Sequence, residues 1–397
     1  MLDTDISVST NQKDLLRKFQ AIRERTEEIC RPLEKEDFVV QPITDVSPPK
    51  WHLAHTTWFF ETFILAKYSH YQVFNSAYSY LFNSYYNTVG ERVLRHDRGK
   101  LTRPRVDEIM KYRLHVNEQM EIMIQSELLE QSDIQILELG LQHEMQHQEL
   151  LVYDIKYILG FNPIHPVYQS NCVLDRVNED SNGEFERIRE GIYEIGHKDE
   201  DFSFDNEKGR HRVFLESFEI SNRLVLNGEY LEFIENGGYE DPIYWHSDAW
   251  QWLKDEDIKA PLYWKKVNGE WHRYTLSGLV ELDPSEVLLH VSYYEAAAFA
   301  NWKGLRLPTE FEWEISEKHF TWGNCWEWTN SAYLPYPYYE APPGAVGEYN
   351  GKFMINQMVL RGSSQATYPS HSRRTYRNFF HPQLRWQFAG IRLARNI

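Results

Sequence analysis

The chain has 397 residues, enough for two or three domains, each with a core of its own. Its formal net charge of −17 excludes nucleic acid and anionic membrane as principal partners. Three cysteines, odd in number and far apart, make no disulfide framework; MLDTDISVST is not a signal peptide and no apolar run reaches membrane-spanning length, so a soluble cytoplasmic protein is expected.

Leu15, Phe19, Ile22, Thr26 and Ile29 recur at helical spacing with charges between them, which predicts an amphipathic helix over 11–30. Residues 33–47 read as a loop or a poor helix. Ser47-Pro48-Pro49 starts a second helix, because proline suits a first turn, and the helix runs through WHLAHTTWFFETFILAKY. His52 and His55 fall on one side of it. Residues 69–101 form a long Tyr- and Asn-rich connection, expected as an uninterrupted loop, and such loops inside compact domains are often functional. It carries Tyr85, Tyr86, Arg92, Arg95 and Arg98. Arginines near a metal can clamp a carboxylate, although charge alone fits a solvated basic turn equally well. After Pro104 a third helix is predicted over 106–127, and a fourth over 132–159.

The fourth helix holds the densest chemistry, in LQHEMQHQEL at 141–150. His143 and His147 are four residues apart, hence on one helix face one turn apart, and can share a metal ion. Leu137, Leu141 and Met145 make an apolar row that Val152, Ile155 and Leu159 extend, with Leu139 and Leu150 nearer the histidine face. A helix apolar on more than one side belongs inside a bundle. Two buried, hydrogen-bonded histidines are the plain alternative; the HExxH spacing favours a metal. Either His52 or His55 would complete a three-histidine site if the two helices face each other.

GFNPIHPVYQ at 160–169 breaks the helical pattern with Gly and two prolines and reads as a linker. Beyond it, strand-like runs at 191–196 and 212–220 and helices at 227–236 and 292–303, the last capped by Ser292, give an α+β second half. The fold class is therefore multidomain α and α+β, with a helical bundle over 1–165, a linker over 166–184 and an α+β domain over 185–397. HEMQH also fits a zinc metalloprotease literally, with Glu144 as general base. Leu150 and Tyr153 stand where a metzincin needs Gly and His, and no downstream helical glutamate ligand is found.

WHLAHTTWFFE together with HEMQHQELL resembles the DinB-like four-helix bundle of the ergothioneine-biosynthesis sulfoxide synthases. FSFDNEKGRHRV, HVSYYEAAAFANWKGLRLPTEFEWE, GNCWEWTNSAY and VLRGSSQATYPSHSRRTYRNFFHPQLRWQFAGIRLAR resemble the C-type-lectin-like, formylglycine-generating-enzyme domain joined to it. These segments cover nearly the whole chain in family order. Gly362-Ser363-Ser364 departs from the common Gly-Gly-Ser, and Gln365 replaces a small residue or Cys.

The resemblance implies non-haem Fe(II) on His55, His143 and His147, O2 as co-substrate, and coupling of a thiol sulfur to imidazole C2 of N-alpha-trimethylhistidine (hercynine) as a sulfoxide. Three neutral imidazoles leave the full charge on iron and favour an anionic thiolate as next ligand; His52 is left to packing or support. By resemblance, Gln146 and Asn378 hold hercynine, Phe379 and Phe380 shape its pocket, and Arg95 and Arg98 clamp the donor carboxylate. Some relatives carry Asp where Phe380 stands, so ammonium recognition here leans on aromatic faces. The Phe pair and FNSYYN are similar to the cysteine-using branch. Tyr85 and Tyr86 are catalytic candidates, since a phenol able to supply a proton can steer the reaction away from sulfinic acid; adjacent residues in extended chain point apart, so one of them is expected to face the iron. A selenosugar-using relative of the same fold, the zinc metalloprotease and a non-catalytic lectin-like module are the alternatives, the last having no use for three placed histidines.

Overall fold

The computed structural model describes residues 10–126, 128–178, 183–198, 201–344, 347 and 350–397. Residues 1–9 of the N-terminal stretch, the expected helix end at Glu127 and part of the expected linker lie outside the described residues. The chain divides into two compact units, Met1–Ile158 and Leu159–Ile397. It is a multidomain protein, helical in its first unit and α+β in its second.

The first unit is built on α1 (Thr10–Cys30), α2 (Pro49–Phe63), α3 (Tyr78–Phe82), α4 (Val106–Gln125) and α5 (Gln131–Gly160). Each long helix turns an apolar stripe inward at helical spacing: Phe19 and Ile22, Leu53 and Phe60, Ile109, Val116 and Met120, and Leu137, Leu141 and Met145, all fully buried. Gly140 sets the approach of α5 to α2, because a Cβ there would lie 2.6 Å from the Phe60 ring and 2.9 Å from that of Phe59. The same two helices carry the histidines, so this contact fixes how the imidazoles meet.

Two expectations fail here. The second helix stops at Phe63 instead of running to Tyr68: Ile64 leaves helical dihedrals (φ −121°, ψ −68°) and Leu65–Lys67 tightens into a 3-10 turn. The connection over 69–101 is not an uninterrupted loop, since it contains α3 and a 3-10 segment, Arg95–Lys100. Tyr78 and Phe82, one turn apart, are buried and Tyr78 packs edge-on to Tyr112 of α4. A single helical turn has no periodicity of its own to read and exists through this packing.

The second unit comprises β1 (Phe185–Ile188), β2 (Gly191–Ile195), β3 (His211–Leu215), β4 (Phe218–Leu224), α6 (Asn227–Glu235), α7 (Ser247–Asp255), β5 (Trp264–Val267), β6 (Glu270–Thr275), β7 (Gly278–Glu281), α8 (Tyr293–Trp302), α9 (Glu310–Ser316), β8 (Trp326–Ala332), β9 (Met358–Gly362), β10 (Asn378–Phe380), β11 (Ala389–Gly390) and β12 (Arg392–Asn396). The sheet orders are β1-β4-β12, β10-β9-β8-β11, β2-β3 and β5-β6-β7. The single run expected at 212–220 is two strands of different sheets, broken after Leu215. Ser292 does cap α8: its hydroxyl accepts from the Glu295 amide at 3.1 Å while the Glu295 carboxylate accepts from the Ser292 amide at 2.8 Å. Among the described residues no helix is long and apolar enough to cross a membrane.

Candidate metal centre

The second helix starts on Pro49, and its first three turns carry Trp51, His52, His55, Trp58 and Phe59, all buried. Opposite them α5 presents His143 and His147. His55, His143 and His147 each offer a nitrogen to one point, with the three atoms within 4.8 Å of one another. His55 Nδ1 lies 2.7 Å from the Phe82 carbonyl, which can only accept, so Nδ1 carries the proton and Nε2 keeps its lone pair. That Nε2 stands 3.3 Å from His143 Nε2, the separation expected of two nitrogens each about 2.1 Å from a shared ion. Burial first, then neighbouring imidazoles, holds His55 and His147 well below the ordinary histidine value, and burial brings His143 to about 4. All three are neutral donors near pH 7. The residues fit a metal ion that prefers imidazole nitrogen.

His52 does not point into this group. Its Nδ1 is 2.9 Å from Nδ1 of His147 and its Nε2 is 2.9 Å from Oδ2 of Asp154, which also accepts the Ser47 amide at 2.8 Å. Asp154 lies two helical turns beyond His147 and was not singled out from the sequence; its i+7 spacing is the signal that could have found it. Trp51 and Trp58 lie nearly parallel to the His55 ring at 4.5 and 5.6 Å, and Phe59 covers His143 at 5.0 Å. The donors are thus walled by aromatic carbon.

Glu144 faces away from the histidines. It is fully buried, 2.8 Å from Arg23, 2.6 Å from Arg113 and 2.7 Å from the Thr26 hydroxyl. Despite burial, which raises it, the two guanidiniums and Thr26 hold its carboxyl at about 2. A carboxylate bound by two buried cations has no free lone pair aimed at a metal-bound water. The general-base role that HExxH suggests is therefore corrected: Glu144 ties α5 to α1 and α4.

The loop residues divide by direction. Tyr86 is buried against Phe63 (5.1 Å), Trp58 (5.6 Å) and Phe59 (6.5 Å), the aromatic wall of the histidines. Tyr85 turns to the arginines: its hydroxyl accepts from Arg95 at 3.4 Å and Arg92 lies over its ring at 5.4 Å. Burial raises the Tyr85 phenol, yet Arg95, Arg98 and Arg92 together bring it below its ordinary value. Arg95 also donates to the Asp45 carbonyl at 2.7 Å. Arg98 is buried, donates to the Ser47 and Ser84 hydroxyls (2.9 and 3.1 Å) and stacks on Trp51 at 3.4 Å. Among the described residues it has no carboxylate partner and its Nε has no hydrogen-bond partner. Burial, with Arg95 and Arg92 nearby, pulls its guanidinium down to about 9 against the opposing effect of Tyr85 and Asp154.

Gln146 is half-buried on α5 beside His147. Asn378, Phe379 and Phe380 belong to the second unit, on β10, all half-buried. Asn378 Oδ1 accepts the Phe379 amide at 2.9 Å, Phe379 stacks on Tyr333 at 4.0 Å, and Phe380 meets Trp386 edge-on at 5.2 Å.

A helical bundle that brings three imidazoles to one point, followed by an α+β unit of short sheets, defines a two-domain protein with a candidate metal centre in its first unit. Residues 173–318 and 319–397 match the sulfatase-modifying factor enzyme 1-like domain and residues 18–151 match the DinB superfamily. The chain belongs to the sulfatase-modifying factor enzyme 1-like family, with a DinB-type bundle ahead of the domain. It is homologous to proteins named hercynine oxygenase: that of Mycobacterium tuberculosis is 29% identical over 320 residues, covering 68% of this chain and 73% of the relative. That of Mycolicibacterium smegmatis is 29% identical over 315 residues, covering 65% and 71%. Ergothioneine biosynthesis protein 1 of Schizosaccharomyces pombe is 26% identical over 235 residues, covering 49% of this chain and 28% of its own.

Proposed function

We propose that this protein is an Fe(II)- and O2-dependent sulfoxide synthase that joins the sulfur of cysteine to imidazole C2 of hercynine, in ergothioneine biosynthesis. The observation that carries the reading is the three converging imidazoles, all neutral, with His55 and His147 oriented by hydrogen bonds to the Phe82 carbonyl and to His52. The reaction balances without a further reductant: the imidazole C–H and the thiol S–H give up their hydrogens, sulfur keeps one oxygen atom of O2, and the other leaves as water. Fe(II) held by His55, His143 and His147 would supply a redox-active Lewis acid with open positions for a thiolate and O2.

The chain's residues do the rest. Arg98, with Arg95 beside it, takes the cysteine carboxylate in place of the anion it lacks. Gln146 in the first unit and Asn378 in the second are the polar residues that the family resemblance assigns to hercynine, and Phe379 and Phe380 are the aromatic faces it assigns to the trimethylammonium. Tyr85 or Tyr86 delivers the proton that separates coupling from simple oxidation of the thiol to sulfinic acid. Trp51, Trp58 and Phe59 exclude water from the histidines. The bundle is taken as 1–165, the linker as 166–184 and the second domain as 185–397, acting in the cytoplasm on small molecules alone.

The test is the dependence of product on metal, oxygen and donor. Fe(II)-loaded protein should consume O2 only with hercynine and a thiol together, and prefer cysteine to gamma-glutamylcysteine or a selenosugar. Full activity of zinc-loaded protein without O2 would overturn the reading.

A further inference from the structure

His52 and Asp154 are both buried, and neither is among the residues that converge on the metal point. Their hydrogen bonds nevertheless form one line: Asp154 Oδ2, His52 Nε2 at 2.9 Å, His52 Nδ1, then His147 Nδ1 at 2.9 Å. The direction of each bond follows from donor chemistry. The Asp154 oxygen that accepts the Ser47 amide accepts this bond as well, so Nε2 of His52 carries hydrogen. With its one hydrogen on Nε2, His52 offers Nδ1 as an acceptor, and Nδ1 of His147 is then the donor of the second bond. That leaves His147 with its lone pair on Nε2. The Ser47 amide, 2.8 Å from the same Asp154 oxygen, fixes the carboxylate at the start of the second helix.

We propose that Asp154 acts through His52 to lock His147 in the Nδ1–H tautomer, making Nε2 its metal-binding atom, and that both are positioning residues of the centre. The inference rests on the metal centre proposed above. It adds that the charge of a buried carboxylate reaches the ion through an intervening imidazole, where the usual arrangement has the carboxylate touching the ligand directly. The hydrogen bond orients the ring and raises the basicity of the coordinating nitrogen, which strengthens its bond to the ion. Histidine at 52 is thus needed as an acceptor for His147 and not as a ligand. Gln, whose Oε1 accepts a hydrogen bond, can replace it in part, whereas Ala cannot.

The experiment uses the full-length protein and Co(II), titrated without oxygen against a chelator, with iron repeated under the same conditions. His52→Ala and Asp154→Ala should each weaken binding about 10–100-fold, and His52→Gln should recover much of the loss. The Co(II) absorption bands should move in both Ala variants and return in the Gln variant. The nitrogen NMR shifts of His147 in the metal-free parent should report the Nδ1–H tautomer, a readout that needs neither metal nor turnover. Asp154→Asn, which keeps the shape and an amide oxygen, covers the case in which Asp154→Ala fails to fold. Unchanged affinity in His52→Ala, or a parent His147 found in the Nε2–H tautomer, overturns the inference while leaving the centre intact. A parent that binds no metal at all overturns both.

Discussion

Replacing Glu144 by Gln should destabilise the bundle without touching chemistry at the histidines. The carboxyl is fully buried and held at about 2, from an ordinary 4.5, by Arg113, Arg23 and Thr26. At about 1.4 kcal/mol per tenfold, that depression corresponds to about 3 kcal/mol of folding stability. A second route gives the same size, since leaving buried charges without their partner costs about 3–5 kcal/mol. Here Arg23 and Arg113, which are 2% and 0% exposed, would lose their shared counter-charge. The sign with pH follows from the depressed value: the stabilisation is complete above about pH 4.5 and is lost as pH falls towards 2. Urea unfolding followed by helical circular dichroism, repeated from neutral to acidic pH, measures both. The variant should unfold at lower urea at neutral pH and lack this acid-side loss. A Glu144→Gln protein as stable as the parent, with metal retained and activity gone, would make Glu144 a base and not a structural carboxylate.

His55→Ala should lose the metal, while His52→Ala should still fill with iron at excess and show only weakened affinity; equilibrium metal analysis at two concentrations separates them. Arg98→Ala should reduce kcat/KM for cysteine by the loss of a charge-assisted contact, on the order of 1.5–3 kcal/mol, with hercynine affinity unchanged; identical donor kinetics would remove Arg98 from the site. Tyr85→Phe and Tyr86→Phe should differ in the ratio of sulfoxide to cysteine sulfinate, and whichever raises sulfinate identifies the proton donor, whereas two parental ratios exclude both. Gly140→Val should separate α2 from α5, lowering thermal stability and metal affinity together, because its side chain would collide with Phe59 and Phe60.

The long helices were legible because each buries a stripe that repeats at helical spacing, and His143 and His147 advertise themselves at i and i+4 within one of them. Between His52 and His55 the residues alone gave no choice, since both lie on the same side of α2; the difference is made by Asp154 and Phe82, which hold the two rings through hydrogen bonds from distant parts of the chain. The structural place of Glu144 was hidden for a related reason. HExxH is a statement about one helix, and the two arginines that occupy the carboxylate come from α1 and α4. The short helix Tyr78–Phe82 was unreadable because one turn carries no period. In the second unit, most strands are of two to five residues amid Trp- and Gly-rich loops, so pairing across the chain decides them more than local pattern.

The most direct measurement is mass spectrometry of the product formed from hercynine, cysteine and isotope-labelled O2 on protein loaded anaerobically with Fe(II). A single coupled product containing both carbon skeletons and one labelled oxygen atom is expected, absent in His143→Ala and His147→Ala. Cysteine sulfinate alone, or a coupled product whose oxygen comes from water, would contradict it.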